Sequence, residues 1–271
     1  METVQIESLT LLFDAKEQDA AELVGEACAR SVALIGKRWG LDTPEDLRVY
    51  VMTAPYRFFL HSAPWPWRIL LVMAVPLWAP RVKRTWPSVN GWTQGYGRRR
   101  AVGVKPPRLI QAGATPTARR VLCEPDSVES LVGQVTCHEL VHAFTTHLRL
   151  PMWLNEGLAT RTVDHFAGKP TIQPSTVETL GSRNDGSRAE QYRHLRSGDM
   201  EGLIYHYVRG YWLTRYLEET QPELLRSLLS RRYPRKVLEA RIADAYGLSN
   251  EAFWQQADRL VVLHFQPADA A

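Results

Sequence analysis

Apolar residues along this chain recur in two rhythms, and those rhythms outline the elements. Over 15–39 the residues Ala21, Leu23, Val24, Ala27, Cys28, Val32 and Ile35 tend toward one side of a helix, which predicts an amphipathic helix there. A short β-type run at Arg48–Thr53 predicts a strand, with further strands expected near Ala101–Val104 and Leu109–Gln111. Between 126 and 148 the period returns to 3.6. Ser127 or Asp126 can cap a helix start, Glu129 suits its first turn, and Leu131, Val135, His138 and His142 form one stripe. Arg149-Leu150-Pro151-Met152 breaks that helix, and a second begins near Asn155. Residues 181–200 are polar and Gly-containing and predict a mobile connection, with His194 as an exposed loop residue. From Gly202 to Phe265 the pattern is helical, interrupted at Tyr233-Pro234 and at Gly247.

The chemistry lies on the 126–148 helix. In His138-Glu139-Leu140-Val141-His142 the two histidines are about 40° apart around the axis and one turn apart along it, so two imidazoles can grip one ion. Glu139 projects from the edge of the same face, placed to take a proton from a metal-activated water without being a ligand itself. The three cysteines, at 28, 123 and 137, have no paired spacing, which argues against a structural Cys-type zinc site. Cys137 is read as a small buried filler on another side of the helix, and His147 as an exposed residue off the ligand register.

Downstream, Trp153-Leu154-Asn155-Glu156-Gly157-Leu158-Ala159 resembles the segment that carries the glutamate ligand in the gluzincin superfamily of zinc peptidases, which includes the zinc aminopeptidases. The resemblance implies that His138 and His142 are the first two zinc ligands, Glu156 the third and Glu139 the general base, with a fourth coordination position left for solvent. It also implies an α+β, thermolysin-like catalytic domain over 1–271. Residues 1–125 would form a small N-terminal helix and mixed-sheet lobe, and 126–271 would hold the zinc-site helices and a helical C-terminal lobe. The 13 residues between His142 and Glu156 (156 − 142 − 1) are a shorter gap than in the aminopeptidases and resemble the compact gluzincin-like domains of bacteria. A metzincin is excluded, because Thr145 and Leu148 stand where that pattern needs Gly and His.

Tyr207-Val208-Arg209-Gly210, running on to Tyr216-Leu217, resembles the segment that supplies the oxyanion-stabilising tyrosine. Tyr207 is the preferred donor, Tyr205 and Tyr211 are alternatives by register, and His206 is a local partner; core packing is the equal alternative for this aromatic stretch. Two family features are missing. No upstream segment offers a carboxylate for a substrate amine, since Gly91-Trp92-Thr93-Gln94-Gly95 has none, so endopeptidase or dedicated-substrate activity is expected over aminopeptidase activity. Thr160 stands where a histidine-supporting Asp is usual, which makes Asp164, one turn on, the candidate replacement.

Composition narrows the picture further. At 271 residues and 45% hydrophobic the chain can bury a substantial core. A net charge of +4 with scattered basic pairs and no nucleic-acid motif predicts no nucleic-acid partner; the peptide or protein substrate is what the resemblance implies. The odd cysteine count, and a start lacking a basic stretch followed by an apolar run, predict a cytoplasmic protein. Pro64–Pro80 is an apolar, Trp-rich insertion, Trp65, Trp67 and Trp78 flanking Ile69–Val75 and basic residues at 68, 81, 83 and 84. It is too short to span a bilayer, and core packing is favoured over a substrate or partner surface, with peripheral membrane contact last.

Overall fold

A computed structural model describes residues 1–110, 116–182 and 200–266. In chain order the elements are β1 (Glu2–Ile6), β2 (Leu9–Phe13), α1 (Gln18–Trp39), β3 (Asp46–Val51), α2 (Pro55–Ser62), α3 (Trp65–Met73), α4 (Val75–Thr85), β4 (Gly91–Tyr96), β5 (Arg99–Val104), α5 (Pro116–Val121), α6 (Val128–Thr145) and α7 (Met152–Ala167). They continue with α8 (Thr176–Ser182), α9 (Met200–Thr220), α10 (Pro222–Leu229), α11 (Arg235–Ala245) and α12 (Asn250–Phe265). The protein is therefore α+β, and it divides into two compact units. One comprises Met1–Ala114, Glu124–Thr146 and His165–Gly168; the other comprises Thr115–Cys123, His147–Asp164 and Lys169–Ala271. Helix α6 belongs with the sheet, so this partition is not the simple 1–125 and 126–271 division expected from sequence.

In the first unit a five-stranded mixed sheet runs β1-β2-β3-β5-β4. Its central pairs β2·β3 and β3·β5 are parallel, while β1 and β4 add antiparallel at the two edges. Side chains alternate across a strand, so register assigns the faces. Leu9, Leu11, Leu47, Val49, Val102 and Val104 share one face, all nearly inaccessible. Tyr50, Ala101 and Tyr96 share the other, where they join Met52, Phe58, Phe59, Ala63 and Val82 in a cluster contributed by α2 and α4, with Leu12, Leu71, Trp78 and Trp92 packed against it. Each fully buried large apolar side chain in such a cluster contributes about 1.5–3 kcal/mol. Helix α6 lies against α1 and against β4 and β5. Gly40, at φ 67°, ends α1 by returning its N–H to the Gly36 carbonyl, a left-handed cap that suits glycine.

Three strand expectations change. Residues 2–13 form a hairpin, β1 and β2, that the sequence reading left without strands. Residues 91–96 form the edge strand β4, and 107–109 form a 3-10 turn where a strand was expected, because Pro106 and Pro107 withhold the N–H groups a ladder needs; Gln111 lies outside the described residues. The 64–80 segment also differs: α3 and α4 leave Trp65, Trp67, Leu70, Met73 and Leu77 exposed, so core packing accounts only for inner residues such as Leu71 and Trp78. Among the described residues no helix is long and apolar enough to cross a membrane.

The second unit is helical. Its core is built from Tyr211, Leu213 and Leu217 of α9, Leu225 and Leu228 of α10, Leu238 and Ile242 of α11, and Phe253 and Val261 of α12. The breaks fall at 230–234 and 246–249, as Pro234 and Gly247 imply, and the Ser249 side chain caps α12 by accepting from the Ala252 N–H. The 181–200 connection and His194 lie largely outside the described residues, as does the His206 side chain.

Candidate metal centre

Helix α6 starts where its cap dictates. Ser127 has extended backbone, and its Oγ accepts from the Ser130 N–H at 3.1 Å, satisfying one of the donors that a helix start leaves open. Val132, Cys137, Leu140, Val141 and Phe144 are buried, which fixes the rotation of the helix and leaves His138, Glu139 and His142 half-buried. His147 is exposed and Cys137 fully buried, as the sequence pattern implies.

The two Nε2 atoms of His138 and His142 are 3.0 Å apart, their rings nearly perpendicular at 86°. Two nitrogens each about 2.0–2.1 Å from a tetrahedral zinc would be separated by roughly 3.3 Å, so the observed pair needs little adjustment to share one ion. Ligand atoms from His138, His142 and Glu156 all lie within 4.8 Å of one another, and the group could hold a metal ion. Two imidazoles and one carboxylate are a donor set of intermediate softness, suited to a divalent transition metal.

Glu139 is positioned by a residue that the sequence reading passed over. The Thr93 hydroxyl of β4 lies 2.7 Å from Glu139 Oε2 and 2.9 Å from the Glu139 main-chain oxygen. Thr93 is the only hydrogen-bond partner of this carboxylate among the described residues, which leaves Oε1 as an acceptor. The register of β4 explains why α6 can come so close. Gly91, Thr93 and Gly95 share the face turned to α6, while Trp92 and Tyr96 turn into the aromatic cluster. A Cβ at Gly91 would stand 2.4 Å from Glu139 Cγ, and one at Gly95 would stand 3.4 Å from Thr146 Cγ2. The alternation of small residues against Trp92 and Tyr96 was the available signal, but without an apolar face it does not read as a strand.

Glu156 stands half-buried at the start of the second turn of α7. One turn on, the Thr160 hydroxyl lies 2.9 Å from the Glu156 carbonyl oxygen and 2.9 Å from the Tyr207 hydroxyl, so Thr160 links the helix of Glu156 to Tyr207. The approach of α7 to α9 depends on two glycines, one from each resemblance-bearing segment. A Cβ at Gly157 would meet the Gly210 carbonyl oxygen at 2.2 Å, and one at Gly210 would meet the Trp153 oxygen at 2.5 Å. The backbones touch directly, and this contact sets the rotation at which Tyr207 meets Thr160.

The register alternatives are occupied elsewhere. Tyr205 is buried and donates to Asp258 Oδ2 at 2.7 Å, beside Arg209, which donates to the other oxygen at 2.6 Å. Tyr211 is fully buried and donates to Asp164 Oδ2 at 2.8 Å; burial first, and then the Asp164 charge, pushes its phenol up to about 12. Tyr207 is partly exposed. Asp164 requires a correction, because it does not support a ligand histidine. Its Oδ1 accepts from the Thr171 N–H and hydroxyl, both at 2.7 Å, and its Oδ2 from Tyr211 and from Arg161 at 2.5 Å. Arg161 in turn donates to Glu218 at 2.8 Å, so Asp164 belongs to a buried ion network within the helical unit.

No family model matches the chain, and no curated protein or solved structure matches it. The resemblance to gluzincins therefore rests on the motifs at 138–142, 153–159 and 207–217.

Proposed function

We propose that this protein is a zinc-dependent peptidase of gluzincin type, cleaving internal bonds of peptides or of one dedicated protein substrate. The observation that carries this reading is the grouping of His138, His142 and Glu156 within ligand distance, next to a carboxylate, Glu139, that is held in place and is not part of the ligand set. When bound, zinc would acidify a coordinated water and polarise the scissile carbonyl. Glu139 Oε1 accepts the proton of the attacking water, while the Thr93 hydroxyl bond to Oε2 fixes the carboxylate plane. The same oxygen then delivers that proton to the departing amine. Tyr207, buttressed by Thr160, donates its phenolic hydrogen bond to the developing oxyanion.

Strand β4 suggests how substrate is read. It is the sheet edge nearest α6, and an extended peptide can add to such an edge through main-chain hydrogen bonds. The strand sequence Gly91–Tyr96 contains no carboxylate to bind a free amino terminus, which supports endopeptidase action. Two histidines and a carboxylate also suit non-haem iron; the neighbouring general base favours hydrolysis and zinc.

Metal analysis of the purified protein beside its His142→Ala variant is the first test. About one zinc per chain, lost on substitution, supports the reading, whereas no bound metal or bound iron ends it. Glu139→Gln should keep the zinc and lose cleavage of a peptide library by about a thousandfold or more; undiminished cleavage would remove Glu139 from the mechanism.

A further inference from the structure

Seven of the fifteen large hydrophobic residues exposed on the described surface fall within thirteen consecutive positions, 65 to 77. They are carried by α3 and α4, two short helices meeting at Ala74, and the most exposed, Trp65 at 74%, Met73 at 75% and Leu77 at 84%, include residues on both sides of that junction. Their outward direction is fixed from within. Leu71 and Trp78 pack on the aromatic cluster, Val82 is part of it, the Trp78 indole N–H donates to the Leu71 carbonyl at 2.9 Å, and the Trp78 ring lies 5.3 Å from Phe59. The helix pair is thus a firm support whose apolar outer face cannot be hidden by a small repacking.

Charge narrows what chemistry suits that face. Arg68, Arg81, Lys83 and Arg84 are exposed along the same two helices, and none makes an ion pair among the described residues. The sequence has no Asp or Glu between Asp46 and Glu124, and, unlike Arg57, Arg99 and Arg108 of the same stretch, these four side chains draw no acid from elsewhere among the described residues. Exposed Leu and Met beside two indoles and unpaired basic side chains are the chemistry of a helix lying in a lipid headgroup layer, where indoles settle at the boundary and each basic residue gains from anionic lipid. With 9 and 11 residues the helices are far short of the roughly 20 needed to span, which limits insertion to one leaflet.

We propose that α3 and α4 dock this protein on the surface of an anionic bilayer. The test is co-sedimentation of the full chain with phosphatidylcholine vesicles, with and without about one-third phosphatidylserine, followed by tryptophan quenching with brominated lipid. Wild type should bind the phosphatidylserine vesicles, weaken as salt rises and be quenched. The double variant Met73→Glu/Leu77→Glu should bind more than tenfold more weakly, and Lys83→Ala should bind roughly fivefold more weakly. These positions are exposed, and far-UV circular dichroism confirms that the variants are folded. Absence of vesicle binding by wild type, or binding that none of these substitutions changes, overturns the proposal. So does a concentration-dependent dimer, abolished by Met73→Glu/Leu77→Glu, in a protein that ignores vesicles, since the face would then be covered by a second copy.

Discussion

A single hydroxyl, that of Thr93, is the hydrogen-bond contact of the Glu139 carboxylate among the described residues. Replacing Thr93 with valine keeps the shape and removes the hydrogen bond that orients Glu139. On the proposed mechanism Thr93→Val lowers kcat for peptide cleavage by roughly 10–100-fold, the usual range for a residue behind a metal site, while zinc content measured by atomic absorption stays at wild-type level. Cys28 makes an independent prediction at the same scale. Burial, reinforced by the nearby Cys137, pushes its thiol up to about 12, and its side chain is inaccessible. It should resist a water-soluble thiol reagent at about pH 8 in native protein and react once the chain is unfolded, as mass spectrometry of labelled peptides would read out.

Among the elements, α7 and α9 show the firmest dependence on sequence. Gly157 and Gly210 sit where the two helices touch, and a methyl group at either would collide with main chain. Gly157→Ala and Gly210→Ala are each expected to cost about 1–3 kcal/mol or more in urea unfolding, and to lower activity by shifting Tyr207 relative to Thr160. Much at this scale was legible in the chain. Helix α6 announces itself through Ser127 and the paired histidines, although the stripe Leu131, Val135, His138 and His142 is only half-buried and Val132, Leu140, Val141 and Phe144 face the core; the C-terminal helices announce themselves through Pro234 and Gly247. Strand β4 was not legible, because the face turned to α6 carries Gly91, which has no room for a side chain, with Thr93 and Gly95, and so lacks the apolar alternation by which strands are recognised. Asp164 was misread for a related reason. Its partners Thr171 and Tyr211 lie 7 and 47 positions away, and local spacing says nothing about them. The outward face of α3 and α4 was equally hidden, since an apolar run looks the same in sequence whether it is buried or exposed.

For the molecule as a whole, buried acids in both units shape the alkaline side of its response to pH. Cys28 rises from an ordinary value of 9.0 and Tyr211 from 10.0, each to about 12, chiefly because burial penalises the anion. The unfolded chain therefore releases these protons first. Their contribution to stability is complete below about pH 9 and is lost as pH rises from there through about 12. Urea midpoints should hold steady between about pH 7 and pH 8.5 and fall steeply at about pH 10 and above; Cys28→Ala should flatten part of that fall. Removing Asp164 acts differently, by taking the acceptor from the Tyr211 hydroxyl and from the Thr171 N–H and hydroxyl and leaving Arg161 to pair with Glu218 alone. Asp164→Ala is expected to cost about 2–4 kcal/mol at neutral pH in the same experiment.

The register of β4 sets a limit on how this protein can vary. Gly91 is kept without a side chain by Glu139 behind it, Thr93 is tied to the same residue by its hydroxyl, and Trp92 and Tyr96 are committed to the aromatic cluster. Gln94 and the exposed Gly95 are the least constrained positions of the strand. A chain that pairs with the outer edge of this strand would meet peptide groups and almost no distinguishing side chain, so discrimination among sequences has to be imposed from other parts of the protein.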